Sequence, residues 1–214
     1  MNLWRKLLLL LGLAALGPGL HAQTLISSIT DPALFGSTLI DFESVAPNSA
    51  YNTLLVSTVT FGSNVNSGLS VDSVYAGQYN TQGQSLDNGA TYSGNPNFTV
   101  TIDFSLPVTA FGFNFGASDA PWTLNAFDGA GTLLATRTIS PVFNSNNQDF
   151  FGLGVGSGSA ISHVTLALGG TSDDYIFIDN FRFVPIPEPG TAALLATGVL
   201  GLACWRFRRR FSRG

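Results

Sequence analysis

The chain has 214 residues, of which 45% are hydrophobic and only 10% are charged, with 24 glycines and 17 phenylalanines. This length allows one domain of ordinary size with appended segments, and the composition is typical of many short strands joined by tight turns. Between residues 23 and 184 the sequence has two basic residues, Arg137 and Arg182, against twelve acidic ones, a formal net charge of −10. Because such a surface repels phosphate backbones, the charge argues against nucleic-acid binding.

The first predicted element is a secretory signal peptide at residues 1–22. Arg5 and Lys6 form its positive start, residues 7–16 are uncharged and apolar, and Ala22 is a small residue at the predicted cleavage site. Ten residues of helix span about 15 Å, half the thickness of the hydrocarbon core of a bilayer. We therefore expect this segment to be removed rather than retained as an anchor.

Residues 23–184 are predicted to form one all-β domain, a single antiparallel β-sandwich of the jelly-roll type. Residues 98–106 alternate between apolar and polar side chains, which is typical of a half-buried strand, and Pro107 ends that strand before residues 111–115 resume the same period. Further strands are predicted at residues 38–43, 56–61, 69–75, 122–126, 133–139, 151–155, 164–168 and 175–183. The only helical turn expected is at residues 31–35, so the pattern favours a β-sandwich.

The polar stretch at residues 78–97 has no clear strand pattern. Twenty residues without structure are uncommon in a compact domain, so this stretch is either a long surface loop or contains strands that the pattern does not reveal. Surface loops of β-sandwiches are where ligands are often bound. Exposed aromatic side chains for stacking against sugars are the other expected feature, and the candidates are Tyr75, Tyr79, Tyr92 and Trp122, the last of which also suits the core.

The domain offers no recognisable catalytic set. His163 is the only histidine after the signal peptide and is expected on the solvent face of its strand, and the only cysteine, Cys204, lies in the terminal apolar run. These residues provide neither a serine-hydrolase triad nor a zinc site. No motif selects a pair of carboxylates for glycoside hydrolysis, so the sequence predicts a protein that is not an enzyme. A secreted carbohydrate-active enzyme is the alternative.

Acidic residues near both ends of the domain are candidate metal ligands. Asp41 and Glu43 lie on the first predicted strands, and Asp179 lies on the last. In a jelly-roll the first and last strands are commonly neighbours, and carboxylate oxygens without imidazole or thiolate suit Ca²⁺. The arrangement resembles the structural calcium site of jelly-roll carbohydrate-binding modules, which implies a structural Ca²⁺ held by these three residues. The alternative is that the acids cap turns or face solvent.

The C-terminal part has three elements in a fixed order. Residues 185–190 form a proline-rich segment that contains Pro187-Glu188-Pro189, residues 191–205 are uncharged and apolar, and residues 206–214 form a basic tail. An apolar helix stopped by arginines is typical of a transmembrane helix with a cytoplasmic C-terminus. Fifteen helical residues span only about 22 Å, which is short for a bilayer. The arginines that stop this helix are Arg206, Arg208, Arg209 and Arg210.

This order of elements, behind a signal peptide, resembles the PEP-CTERM sorting signal of Gram-negative bacteria. The resemblance implies that exosortase, a membrane-embedded protease or transpeptidase, recognises residues 187–189 and cuts nearby. It also implies an exopolysaccharide-producing, biofilm-forming host. We therefore expect export across the inner membrane, transient anchorage there by the C-terminal helix, and a final place at the cell surface or outside the cell. The sandwich is expected to serve binding or adhesion, with polysaccharide as the candidate ligand; a spacer domain without a specific ligand is the remaining alternative.

Overall fold

The computed structural model describes residues 22–47, 49–89, 97–170, 174–186 and 197–198, and in them the protein is all-β, as predicted. These residues form thirteen strands and one 3₁₀ turn, Pro32–Leu34, which lies within the predicted turn. The strands, in chain order, are β1 Gln23–Ile26, β2 Thr38–Ile40, β3 Ser49–Tyr51, β4 Thr53–Val56, β5 Val59–Ser63, β6 Leu69–Asp72, β7 Ser85–Asp87, β8 Thr99–Gly116, β9 Trp122–Phe127, β10 Leu133–Ile139, β11 Phe150–Val155, β12 Ile161–Leu168 and β13 Phe177–Pro185.

The strands form two antiparallel layers that share β8. Sheet I has the order β4-β5-β8-β12-β9-β10 and uses the first half of β8. Sheet II has the order β1-β11-β8-β13 and uses the second half. The free edge of β13 pairs with β7 at its beginning and with β2 at its end, and β7 continues to β6 and β3. The first and last parts of the domain are therefore neighbours, as expected.

β8 changes sheets at residues 105–107. Phe98, just before β8, and Phe115, near its end, both contact Trp122, with ring centroids 6.4 and 6.1 Å away, so the two halves of β8 face each other across the core. The chain thus leaves sheet I at Pro107, where the sequence predicts the end of a strand. Leu106 was expected to point inward and does not: it is 38% exposed, because the corner turns residues 105–107 toward solvent.

The core lies between the two sheets and is dominated by phenylalanine. Phe104 of sheet I packs against Phe111, Phe181 and Phe183 of sheet II, with ring centroids 5.9 to 6.2 Å apart. On one side the sandwich is almost closed, because the Gln23 side chain pairs with both backbone groups of Thr136 at 2.7 and 3.1 Å. This contact covers the edge of β10, which would otherwise expose unpaired backbone groups.

Three strands were not predicted: β1, β3 and β7, each of three or four residues. The strand expected at residues 56–61 is instead the hairpin of β4 and β5, whose turn contains Ser57 with a left-handed backbone (φ 57°). Of the polar stretch at residues 78–97, part forms β7 and part lies outside the described residues. Short segments such as these carry too few alternations to reveal a period of two.

The sandwich has two ends with different contents. At the tail end the chain enters at Ala22, whose carbonyl accepts from Gly156 N–H at 2.9 Å, and leaves at Ile186, whose N–H donates to the Pro107 carbonyl at 2.9 Å. The opposite end, called the loop end below, consists of long connections. In the described residues they are 73–84, 117–121, 140–149, 169–170 and 174–176.

The outer face of sheet II is covered rather than open to solvent. A small second cluster near the tail end packs Ile26, Leu34 and Phe150 on Ala110. Toward the loop end, residues 73–84 lie across the sheet over Gly116, and a side chain there would collide with the backbone of Tyr79. At the loop end, side chains on the outer face of sheet II therefore lie beneath the loop at residues 73–84.

In the described residues no helix is long and apolar enough to cross a membrane. The signal peptide at residues 1–22, the sorting residues 187–189 and the apolar segment at residues 191–205 lie outside the described residues, apart from Ala22, Thr197 and Gly198.

Candidate functional site

Five aromatic side chains gather on the outer face of sheet II at the loop end. Phe177 lies at the start of β13, Tyr175 precedes it, Tyr75 and Tyr79 come from the loop at residues 73–84, and Phe143 comes from the loop at residues 140–149. Ring centroids lie 4.8 Å apart for Tyr175 and Phe177, and 5.2 Å apart for Tyr75 and Phe177. Tyr79 stacks on Phe177 at 5.9 Å and meets Phe143 at 6.4 Å. We call these five residues the aromatic cluster.

The aromatic cluster has a buried floor and a partly exposed surface. Phe177 is 1% exposed, the three tyrosines are half-buried, and Phe143 is 51% exposed. Tyrosine combines an apolar ring with a hydroxyl, so a surface of this kind offers ring faces and edges together with hydrogen-bonding groups. Of the candidate aromatics, the structure brings Tyr75 and Tyr79 together, and Tyr92 lies outside the described residues.

The backbone that carries Tyr79 is held in a conformation that is rare for side chains other than glycine. Tyr79 and Asn80 have φ angles of 49° and 65°. The Asn80 side chain donates to the Phe115 carbonyl at 2.8 Å and to Asp149 at 3.2 Å, and it accepts from Gln148 N–H at 2.9 Å. Left-handed residues persist where their surroundings determine them, and they often cluster at functional sites.

Asp87 lies beneath the aromatic cluster. Paired residues of antiparallel strands point to the same face, so the register places Ser70, Asp87, Phe177 and Gly116 in one row across the outer face of sheet II. Asp87 is 2% exposed, and its carboxylate accepts from the Ser70 hydroxyl and from Gly89 N–H at 2.6 Å. Burial raises the pKa of Asp87, and the neighbouring Asp72 adds to this rise, whereas the hydrogen bonds from Ser70, from Gly89 and from the Tyr175 hydroxyl oppose it.

The three predicted calcium ligands lie in one region, where β2 and β7 both adjoin β13. Asp179 is 1% exposed; its carboxylate accepts from Gln82 N–H at 2.6 Å and from Asn180 N–H at 2.6 Å. Glu43 accepts from Gln84 N–H at 2.8 Å. The carboxylates of Asp179 and Glu43 therefore bind the backbone of the loop at residues 73–84 at two positions, Gln82 and Gln84.

Burial raises the pKa of Asp179 to about 6, and the charges of Glu43 and Asp41 add to the rise, whereas its two backbone hydrogen bonds oppose it. Within the described part of the chain, no three His, Cys, Asp or Glu side chains are grouped closely enough to hold a metal ion. The structure thus gathers negative charge where calcium is predicted without forming a compact ligand set, and calcium binding stays a prediction.

Trp122 and Asp174 form a buried structural pair. Trp122 is fully buried, so it belongs to the core and is no longer a candidate for sugar stacking. Its indole N–H donates to Asp174 at 2.6 Å, and the same carboxylate accepts from Asp119 N–H at 2.9 Å and Ala120 N–H at 3.4 Å. Asp174 thereby fixes the connection between β8 and β9.

His163 lies on the outer face of sheet I, as predicted. Its ring nitrogen is 2.6 Å from the Asp103 carboxylate, and both side chains are partly exposed. A single exposed pair of this kind contributes little to stability. The pair lies on the opposite sheet from the aromatic cluster and takes no part in it.

Sequence reasoning missed Phe143, Tyr175, Phe177 and Asp87. Phe177 points to the outer face of sheet II, whereas its neighbour in β13 points to the core. Only the loop at residues 73–84, which covers this face, gives Phe177 an apolar environment. Asp87 lies on a three-residue strand that the pattern did not reveal. One available signal was the density of tyrosines at residues 75, 79 and 175 among glycine and amide residues.

Residues 185–210 match the family described as the PEP-CTERM protein-sorting motif. The match spans Pro187-Glu188-Pro189, the apolar run and the arginines at positions 206 and 208–210, so the predicted sorting signal is confirmed. The motif indicates an exported protein with a C-terminal anchor.

Solved structures with a similar course of the chain include a mutant of the family 29 carbohydrate-binding module CBM29-2, at 14% identity over 69% of this chain and 90% of that one, with a TM-score of 0.43. A cleaved adhesin domain of Lys-gingipain is 13% identical over 70% of this chain and 98% of that one, with a TM-score of 0.45. A family 6 carbohydrate-binding module is 18% identical over 70% and 94%, with a TM-score of 0.38. These likenesses concern the general fold and do not identify a ligand. No curated protein sequence matches the chain.

Proposed function

We propose that this chain is a non-enzymatic protein of the cell surface or extracellular matrix, whose β-sandwich binds extracellular polysaccharide through the aromatic cluster. An exosortase-type membrane protease would process it near residues 187–189. The single observation that supports the binding role best is the placement of the aromatic cluster at the end of the sandwich opposite the sorting motif.

The direction of the chain supports this arrangement. The domain passes into the sorting motif at Pro185, beside Pro107 and at the same end as Ala22. While the tail holds the protein in the membrane, the tail end faces the bilayer and the loop end faces outward. A ligand in the extracellular matrix would therefore meet the aromatic cluster first.

The chemistry of the cluster also supports a neutral, polyhydroxylated ligand. Half-buried tyrosine rings and the exposed Phe143 offer apolar contact to the C–H faces of a sugar ring, and tyrosine hydroxyls offer hydrogen bonds. The formal charge of −10 on residues 23–184 disfavours strongly anionic polymers. Asp174 and Asp179 each accept hydrogen bonds from backbone N–H groups, which supports structural rather than catalytic roles for them.

A matched pair of exposed phenylalanines tests the proposal. Phe143 is 51% exposed in the aromatic cluster, whereas Phe35 is 91% exposed and lies away from it, next to the strand β2 that pairs with the end of β13. Full-length protein in a detergent without a sugar headgroup is applied to an array of extracellular polysaccharides. We expect Phe143→Ala to weaken binding about tenfold, equivalent to about 1.4 kcal/mol, and Phe35→Ala to leave it unchanged.

Three outcomes contradict the proposal. One is the absence of binding to any glycan by the wild-type protein. Another is equal loss of binding in both variants, which would indicate nonspecific hydrophobic adsorption. The third is release of shortened oligosaccharides from a bound polymer, because that result would make the domain an enzyme.

A further inference from the structure

We infer that Asp87 determines the specificity of this site: its free carboxylate oxygen, Oδ2, accepts a hydrogen bond from a hydroxyl of the bound sugar. This inference rests on the proposed function and adds the residue that would recognise the ligand beneath the aromatic rings.

The first step is the unsatisfied state of the carboxylate. In the described residues three buried side-chain atoms lack a hydrogen-bond partner: Gln84 Oε1, Arg182 Nε and Asp87 Oδ2. Only the last belongs to a side chain in the row beneath the aromatic cluster. A buried acceptor without a donor costs free energy, so a native structure that keeps one calls for an explanation, and a ligand that supplies the donor is a direct one.

The second step is the position of this oxygen. Asp87 is paired with Phe177, the floor of the aromatic cluster, and both side chains point to the outer face of sheet II. The Tyr175 hydroxyl lies beside the carboxylate: a Cβ placed on Gly89 would be 2.7 Å from Tyr175 Oη and 2.8 Å from Asp87 Oδ1. Glycine at position 89 thus lets the Tyr175 hydroxyl and the Asp87 carboxylate lie close against the backbone, and a larger residue there would displace them.

The third step is the chemistry of the missing donor. Ser70 and Gly89 donate to the carboxylate, the Tyr175 hydroxyl interacts with it as well, and together they hold its orientation, so a ligand need supply only the donor that Oδ2 lacks. Asp72 lies close enough to raise the pKa of Asp87, but these acids are not part of a group of three metal-ligating side chains among the described residues. A neutral hydroxyl fits such a site, since it gives one hydrogen bond without requiring further ligands. A sugar lying against Tyr75 and Tyr175 presents hydroxyls at the edge of its ring.

The experiment compares Asp87→Asn with Asp72→Asn in full-length protein, on the glycans that wild type binds, with chelator present throughout. Both substitutions remove one negative charge from the same region, but the Asp72 carboxylate already accepts from Val74 N–H at 3.0 Å. We expect Asp87→Asn to weaken binding at least tenfold with a melting midpoint unchanged or raised, because the free buried carboxylate is gone. Asp72→Asn should change binding less than twofold.

Gly89→Ala is the second variant, used if Asp87→Asn does not fold. Its methyl group would displace the Tyr175 hydroxyl and the Asp87 carboxylate while leaving the charge in place, so binding should again fall about tenfold. If wild type binds and either folded variant, Asp87→Asn or Gly89→Ala, binds within twofold of it, the inference is wrong and the proposed function stands. Loss of wild-type binding on adding chelator, with the melting midpoint unchanged, would assign the ligand contact to a metal and overturn the inference. If wild type binds no glycan, the proposed function and the inference fail together.

Discussion

Replacing Phe104 with alanine tests how the two sheets are joined. Phe104 is 8% exposed and lies within 6.2 Å, centroid to centroid, of three rings from sheet II, so its removal leaves a cavity at the contact between the sheets. Phenylalanine-to-alanine substitutions in cores cost about 3–5 kcal/mol. For a domain of this size each kcal/mol lowers the melting midpoint by about 2–4 °C. We therefore expect the midpoint to fall by roughly 10 °C.

Thermal unfolding of residues 22–186, followed by tryptophan fluorescence, provides the assay, because Trp122 is the only tryptophan in that segment and is fully buried. Two residues of the same strand serve as controls. Thr101 points to the outer face of sheet I, and Leu106 is turned outward at the corner, so alanine at either position should cost less than about 1 kcal/mol. If Leu106→Ala costs as much as Phe104→Ala, the strand alternates without a corner and the two-sheet assignment of β8 is wrong.

Four further predictions concern the loop end and the tail. Burial and the charges of Glu43 and Asp41 raise the pKa of Asp179 to about 6. Its carboxyl group therefore stabilises the fold fully below about pH 4, and this contribution of at most about 3 kcal/mol is lost as the pH rises through 6. In chelator, the melting midpoint of Asp179→Asn relative to wild type should rise between about pH 4 and about pH 7, and a constant difference would contradict this. Calcium at about 100 times its dissociation constant should stabilise wild type by about 2.7 kcal/mol but not Asp179→Ala, as followed by thermal melts, and equal shifts would remove these acids as ligands. Gly116→Ala should displace the loop that carries Tyr79, which is measurable as weaker glycan binding and faster proteolysis within residues 73–84. Intact-mass measurement of the exported protein should show loss of the residues that follow the Pro187-Glu188-Pro189 segment, and Glu188→Ala should leave the full chain in the inner membrane; a full-length C-terminus on mature wild type would refute this.

The sequence alone predicted the strands whose two faces differ. The segments at residues 122–126, 133–139 and 164–168 alternate because one side of sheet I faces the core and the other faces solvent, and each forms a strand at that position. The sorting signal was equally accessible, since its three elements follow one another in the chain and need no tertiary contact. The expectation that the predicted strand at residues 38–43 adjoins the last strand also holds, because β2 pairs with β13, whereas the unpredicted β1 pairs with β11.

Only the tertiary structure decided what lies on the outer face of sheet II. In β7 all three residues are buried, because strands and a loop from distant parts of the chain cover both faces, and no alternation remains to be read. Asp87 and Asp174 are buried acids whose surroundings come from residues that are far away in sequence. Trp122 and Tyr79 were both candidates for ligand contact, with the core as the alternative for Trp122. Burial between the sheets excludes Trp122, whereas the left-handed backbone at Tyr79 and Asn80 places Tyr79 in the aromatic cluster. Local patterns specify which side of a strand is apolar, whereas exposure at a loop end depends on the segments that pack there.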